Sequence, residues 1–351
     1  QAWQWELERQ PVEFLQRRAR TVLLGARERL GLFVGAPADD IVYVPNATAA
    51  LALVTQRFPL QPGDQVLSTT HEYGSMEAAW RRTCERYGAT YVRQPLRLPV
   101  ESAEQVVEDI WGGVTPKTRV LFVSHITSPT ALILPVAELV RKARERGIIT
   151  VIDGAHAPGQ IPLNLEQLGA DMYVASCHKW MMGPKGTGFL YARHEAQPLL
   201  WGNMPGSQAE GQTHTLADLQ WQGTRDITAY LAIPAAIRFM EEHNWPQIQA
   251  DCHELLRYAR QRIGELTGLT PLSPDSPEWF AQMSTIPIPP CDRRWLKDNL
   301  YEMFKIEIPV INFEGKQHVR VSVQGYNSRA DMDKLVEALE ELLPIAPPPP
   351  A

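Results

Sequence analysis

The sequence has no long apolar run, no cluster of basic residues and no closely spaced cysteines, and each absence narrows what the protein does. A membrane-spanning helix needs about 20 consecutive apolar residues, so no membrane partner is expected. Nucleic-acid binding leaves a stripe of Lys and Arg. Here 34 basic residues are outnumbered by 40 acidic ones, the net charge is −6, and no nucleic-acid partner is expected. The four cysteines, Cys84, Cys177, Cys252 and Cys291, form no CxxC pair. That argues against a zinc or other metal site and for a reducing compartment, with the cytoplasm as default. No signal peptide is visible, although the sequence opens on Gln1 rather than methionine.

What is present is an ordinary globular composition, 44% hydrophobic and 21% charged over 351 residues. That is more chain than one core usually organises, so two domains are expected. Residues 1–33 read as helix broken at Pro11. From about residue 40, short apolar runs alternate with amphipathic helices. "IVYV" (41–44) precedes a helix opening at Asn46 or Thr48. "QVLSTT" (65–70) precedes a helix from about Ser75 to Tyr87, and "ATYVR" (89–93) returns as strand. The clearest unit is 119–153. "RVLFVSH" is a continuous apolar strand, and "PVAELVRKARERG" is a helix entered at Pro135 with Val136, Leu139, Val140 and Ala143 on one face. "IITVI" follows as a second strand, so the spacing predicts a right-handed crossover in a parallel sheet. "DMYVA" (171–175) and "TGFLYAR" (187–193) add strands. Beyond about residue 230 two helices lead into a smaller α/β region, and "PPPP" (347–350) closes the chain.

Ligands of open parallel sheets gather outside the carboxyl ends of the strands. Asp153 ends "IITVI", and Ser176, His178 and Lys179 follow "DMYVA". Ser124 and His125 follow "RVLFV", and Asn46, Ala47 and Thr48 open a helix whose free N–H groups can bind an anion. Lys179 stands among Cys177, Trp180, Met181 and Met182. A lysine in apolar company either snorkels to solvent or is kept neutral for nucleophilic chemistry. The inventory suits a phosphorylated aldehyde cofactor. Thr48, Ser176 and His178 answer a phosphate, Asp153 a protonated ring nitrogen, and Lys179 a carbonyl that forms an imine. On spacing alone Asp153 reads equally well as a helix N-cap. His71, Glu72 and His125 receive no role.

These residues lie in motifs that resemble, in order and over nearly the whole chain, the class V aminotransferase family of fold type I pyridoxal-phosphate enzymes. The motifs are "NATAAL" (46–51), "HEYGSMEAAW" (71–80), "SHITSPTALILPV" (124–136), "DGAHAPGQIPLN" (153–164), "SCHKW" (176–180), "QGTRD" (222–226) and "VRVSVQGYNS" (319–328). "EYG", "HKW", "GTRD" and "SVQGYN" look most like the isopenicillin N epimerase-like branch.

The resemblance implies an α/β fold: a large domain with a mostly parallel seven-stranded sheet between helices, and a smaller C-terminal α/β domain. The expected division is 1–35 N-terminal helical segment, 36–235 pyridoxal-phosphate-binding domain, 236–345 small domain and 346–351 tail. It also implies roles. Lys179 would hold pyridoxal 5'-phosphate as an imine, Asp153 would pair with the ring nitrogen, His156 would reach the phenolic oxygen, and Tyr73 would stack on the ring. Ala47, Thr48, Ser128, Ser176 and His178 would complete the cofactor set. Gly223 and Thr224 would reach the phosphate of a neighbouring subunit, which implies a homodimer with shared active sites. Arg320 would clamp a substrate carboxylate.

The residues support Arg320 independently. His318, Arg320, Ser322 and Gln324 alternate with Val319, Val321 and Val323, which gives one polar and one apolar strand face. An ordinary ion pair is the competing reading. Arg225 and Asp226 read as a structural pair. The expected reaction is at the α-carbon of an amino-acid-like small molecule: epimerisation, with C–S lysis or transamination as alternatives. Persulfide chemistry is disfavoured because "VINFEGKQHVR" holds no cysteine and the closest upstream is Cys291. A non-catalytic binding protein is disfavoured by the joint presence of Lys179, Asp153 and Arg320.

Overall fold

Seven strands carry the site: β1 (Ile41–Val44), β2 (Gln65–Thr69), β3 (Thr90–Gln94), β4 (Thr118–Ser124), β5 (Ile149–Asp153), β6 (Met172–Ser176) and β7 (Gly188–Ala192). They form one sheet in the order β1-β7-β6-β5-β4-β2-β3. The run from β3 to β6 is parallel, whereas β7 is antiparallel to both its neighbours. Every residue of β1, β2, β6 and β7 is buried. Strands covered on both faces tend to continuous apolar runs, which makes β1, β6 and β7 legible; β2 is the departure, with Gln65, Ser68 and Thr69 buried as well. The computed structural model describes residues 1–201, 215–220 and 223–350; Gln222 of "QGTRD" and Ala351 of the tail lie outside the described residues.

Local sequence explains the helices that aim the site. The Val136–Glu145 helix buries Val136, Leu139, Val140 and Ala143, the four residues its periodicity marks, and links the parallel neighbours β4 and β5. The Ala47–Arg57 helix is capped by Asn46, whose Oδ1 accepts from the Ala49 N–H at 2.8 Å. The N-terminal helical run does break where Pro11 predicts: Ala2–Arg9 ends at Gln10, and Ala19–Val34 ends at Gly35 in the left-handed region.

The chain divides into two compact units. The first comprises Gln1–Pro95, Ile110–Ile126 and Pro135–Glu242, and contains the seven-stranded sheet. The second comprises Leu96–Asp109, Thr127–Leu134 and His243–Ala351. Two segments within the span 36–235 thus cluster with the C-terminal part. The Val100 N–H donates to the Leu272 carbonyl, and the Ile133 N–H to the Trp279 carbonyl, both at 2.9 Å. The second unit has an antiparallel sheet of β8 (Met283–Ile288), β9 (Val310–Phe313) and β10 (Lys316–Ser322), with β10 in the centre. Val319, Val321 and Val323 are buried as the alternation predicts. No helix among the described residues is long and apolar enough to cross a membrane.

Candidate active site

The carboxyl end of β5 turns sharply through Asp153, Gly154, Ala155 and His156. Asp153 is buried, and its Oδ1 accepts from the Ala155 N–H at 2.9 Å. The carboxylate therefore closes its own turn and caps no helix. Burial pushes its pKa up, and the Ala155 amide pulls it back. Gly154 is required here, because a Cβ would lie 1.9 Å from the Tyr173 ring. His156 Nε2 lies 3.1 Å from Lys179 Nζ, and His156 Nδ1 accepts from Trp180 Nε1 at 3.3 Å. Asp153, His156 and Lys179 are thus gathered at one corner, on the turn after β5 and the loop after β6.

Of the two readings of Lys179's apolar company, shielding from solvent is the one that fails. Its apolar company in sequence does not shield it: Cys177, Trp180 and Met181 are buried while Lys179 itself is exposed. Neighbours in an irregular loop point different ways, so apolar sequence neighbours are no guide to a side chain's surroundings. The loop also turns back rather than crossing over. It leads into antiparallel β7 through Gly186 at φ +84°, with Thr187 Oγ1 donating to the Pro184 carbonyl at 2.6 Å.

The start of the Ala47–Arg57 helix meets the end of β6. The Ala47 N–H donates to Ser176 Oγ at 3.2 Å, and Thr48 is exposed in the first turn. Gly188 permits this approach, since a Cβ there would come within 2.8 Å of Asn46 Cα and 2.5 Å of the Ala175 carbonyl oxygen. His178 is half-buried and its Nδ1 donates to the Thr187 carbonyl at 2.9 Å, which leaves Nε2 for a ligand. Burial lowers its pKa. A helix N-terminus, two hydroxyls and an imidazole at one place fit a phosphate monoester. Tyr73 sits just ahead of the Gly74–Tyr87 helix, and its side chain is 48% exposed, so it is no ordinary core aromatic. Gly223 and Thr224 are exposed, and among the described residues no hydrogen bond joins them to the Lys179 corner.

Sequence reading missed a buried polar layer beneath this corner. Glu72 accepts from Thr69 Oγ1 at 2.6 Å and from Ser124 Oγ at 2.5 Å. Burial pushes its carboxyl up to about 7, against the pull of those two hydroxyls. Ser124 is paired in register with Asp153. His125 donates its backbone N–H to the Asp153 carbonyl at 2.8 Å, and its Nδ1 lies 2.9 Å from the Tyr173 hydroxyl. A glutamate three residues past β2, and a Ser-His pair at the end of the apolar run of β4, were the available signal.

In the second unit Arg320 lies on β10 opposite Thr285 of β8. Its Nη1 donates to the Ser128 carbonyl, and lies 3.2 Å from Ser128 Oγ. Ser128 is therefore a partner of Arg320. The ion-pair reading fails, because no carboxylate pairs with Arg320 among the described residues. Its Nε is buried with no acceptor, and burial lowers the guanidinium pKa. A largely buried cation lacking an anion suits a carboxylate ligand. Arg225 and Asp226 also do not pair as expected. Arg225 reaches the Tyr230 hydroxyl at 2.7 Å, and Asp226 accepts from the Thr228 N–H at 2.7 Å. No cluster of His, Cys, Asp and Glu could hold a metal among the described residues.

Comparison with known proteins gives the chain a family and a fold. The family model described as aminotransferase class-V matches residues 9–335. An isopenicillin N epimerase of Amycolatopsis lactamdurans is 35% identical over 351 aligned residues, covering 95% of this chain and 88% of that protein. A putative L-cysteine desulfhydrase of Oryza sativa subsp. japonica is 28% identical, covering 97% of this chain and 78% of that protein. Among solved structures, the cysteine desulfurase of Thermococcus onnurineus has the same fold, with a TM-score of 0.80 at 22% identity over 94% of this chain and 86% of that one. The chain belongs to the class-V aminotransferase family.

Proposed function

We propose that the protein uses pyridoxal 5'-phosphate to act at the α-carbon of an amino acid or an amino-acid-containing small molecule, with epimerisation as the favoured outcome. One observation carries the reading: Asp153, His156 and Lys179 converge at the carboxyl edge of a parallel sheet, beside the helix start formed by Ala47 and Thr48. The similarity to an isopenicillin N epimerase over 95% of the chain favours that reaction class. The desulfhydrase relative keeps C–S lysis as the second reading. A dimer and a cytoplasmic location belong to the same proposal.

When bound, the cofactor supplies an electron sink for a bond broken at the substrate α-carbon. Asp153 would pair with the ring nitrogen and keep its proton in place, a demand that a buried carboxylate meets well because a positive partner relieves its own burial. His156 would offer Nε2 to the phenolic oxygen, and Tyr73 would cover the ring. Ala47, Thr48, Ser176 and His178 would hold the phosphate, joined by Gly223 and Thr224 from a second subunit. Lys179 would be the amine that holds the aldehyde and the base for the substrate α-proton. Arg320, steadied by Ser128, would bind the α-carboxylate.

Incubation with candidate amino acids and peptides in heavy water tests the proposal. Deuterium at the α-carbon with the amine retained and the configuration mixed means epimerisation. Pyruvate and ammonia mean lysis, and a keto acid means transamination. No exchange with any α-carboxylate substrate would overturn the role given to Arg320.

A further inference from the structure

The polar contacts of His156 decide where one proton sits. Trp180 Nε1 lies 3.3 Å from His156 Nδ1, and Lys179 Nζ lies 3.1 Å from His156 Nε2. An indole N–H only donates, so Nδ1 must accept. A neutral imidazole whose Nδ1 accepts carries its single proton on Nε2. That N–H points at Lys179, and the contact is a hydrogen bond only if Nζ presents a lone pair. The opposite assignment has a lysine ammonium donating to Nε2. It forces the imidazole proton onto Nδ1, where it would meet the indole N–H donor against donor.

We propose that Trp180 is a positioning residue: its indole N–H fixes His156 as the Nε2–H tautomer, which makes His156 a dedicated donor toward the Lys179 amine and toward any acceptor that takes the amine's place. The backbone holds the parts in register. Gly159, at φ +84°, lets the "DGAHAPG" turn lie so close to Trp180 that a Cβ would be 2.6 Å from the Trp180 carbonyl oxygen. Gln160 Nε2 donates to the His156 carbonyl at 2.8 Å. Trp180 is 7% exposed, so its indole is not free to swing away.

The tautomer follows from the Trp180 contact with Nδ1; the attraction between Asp153 and a protonated Lys179 acts beside it and favours the charged amine. The titratable groups that face one another in this corner are Glu72, Asp153, His156, Tyr173, His178, Lys179 and Lys185. Of the two imidazoles among them, His178 turns Nδ1 to a carbonyl and must donate there, whereas His156 turns Nδ1 to an N–H and must accept. The further step, that Nε2–H serves the cofactor's phenolic oxygen, rests on the function proposed above.

The test is nitrogen NMR of the full chain with ring-labelled histidine, with and without pyridoxal phosphate, using His156→Gln for assignment. The expected spectrum has Nδ1 unprotonated and Nε2 protonated in both samples. Trp180→Phe keeps the ring bulk and removes the N–H. It should give a mixture of tautomers and raise the pH at which His156 becomes half-protonated by about one unit, the effect of losing one hydrogen bond to the neutral form. In the loaded variant the pH profile of the visible absorption band shifts the same way. A protonated Nδ1 in the wild-type chain overturns the proposal, as does a Trp180→Phe variant with unchanged tautomer and titration. If that variant does not fold, the wild-type spectrum decides alone. A chain showing Nε2–H yet unable to take up pyridoxal phosphate would overturn the proposed function and leave the tautomer standing.

Discussion

At the scale of single residues, Glu72 and Arg320 have no oppositely charged partner among the described residues, and each makes a measurable difference. Burial pushes the Glu72 carboxyl up to about 7 from 4.5. Between those values the folded chain binds a proton that the unfolded chain has released, so Glu72's contribution to stability falls as pH rises from 4.5 to 7. The full effect is at most about 3 kcal/mol. His71 and His125, pushed down to about 3 and about 4 by burial, act with the opposite sign. The unfolded chain protonates them below about pH 6.5 and the folded chain does not, so they cost stability as pH falls. Glu72→Gln removes the first slope and keeps the second. Urea unfolding should therefore show the variant gaining on wild type between pH 4.5 and 7.5; a constant difference would mean Glu72 stays ionised throughout. Arg320 shows the same physics with a ligand in view. Arg320→Leu removes a half-buried cation that no acid neutralises among the described residues and should raise the stability of the ligand-free chain by about 1 kcal/mol. The same change should lower kcat/KM roughly 30- to 1,000-fold, the loss of a charge-assisted pair. Lowered stability together with unchanged kcat/KM would make Arg320 a structural residue.

At the scale of elements, Gly188 on β7 is where the sheet lies closest to the start of the Ala47–Arg57 helix, the proposed phosphate corner. Gly188→Ala drives a methyl against the Asn46 backbone and the Ala175 carbonyl oxygen, neither of which can give way without moving the helix start or the strand. The cost should be about 1–3 kcal/mol in stability, together with a higher Kd for pyridoxal phosphate in a spectroscopic titration. Unchanged affinity would separate the helix start from the phosphate. Most of this framework could be read from sequence, because buried strands such as β4, β5 and β6 carry apolar runs and because Pro135 and Asn46 mark helix starts. The parts that could not be read depend on contacts far apart in sequence. The antiparallel direction of β7 is set by how the 177–187 loop turns. Residues 96–109 and 127–134 join the second unit through backbone pairing with Leu272 and Trp279. The exposure of Lys179 depends on which way a loop side chain points. Glu72 stood in plain view in "HEYGS" but had no spacing rule to connect it with Ser124, 52 residues away.

At the scale of the molecule, the proposed sharing of sites between two subunits makes a prediction that no single chain can mimic. Thr224 is exposed on its own subunit and makes no hydrogen bond there to the Lys179 corner among the described residues. If its hydroxyl serves the partner's phosphate, Thr224→Glu places a negative charge against that phosphate and empties the partner's site, not its own. Lys179→Ala disables its own site whatever the partner does. Each variant alone is therefore inactive. In a dimer holding one of each, one site has lost both residues, while the other has an intact Lys179 facing an intact Thr224. Random re-association should then restore about one quarter of the wild-type activity per subunit, because half the dimers are mixed and each has one working site. Sedimentation before and after mixing checks that dimers form and exchange. Activity that stays at zero while exchange proceeds would place Thr224 outside the partner's site. A Thr224→Glu chain that is fully active by itself would remove it from any site.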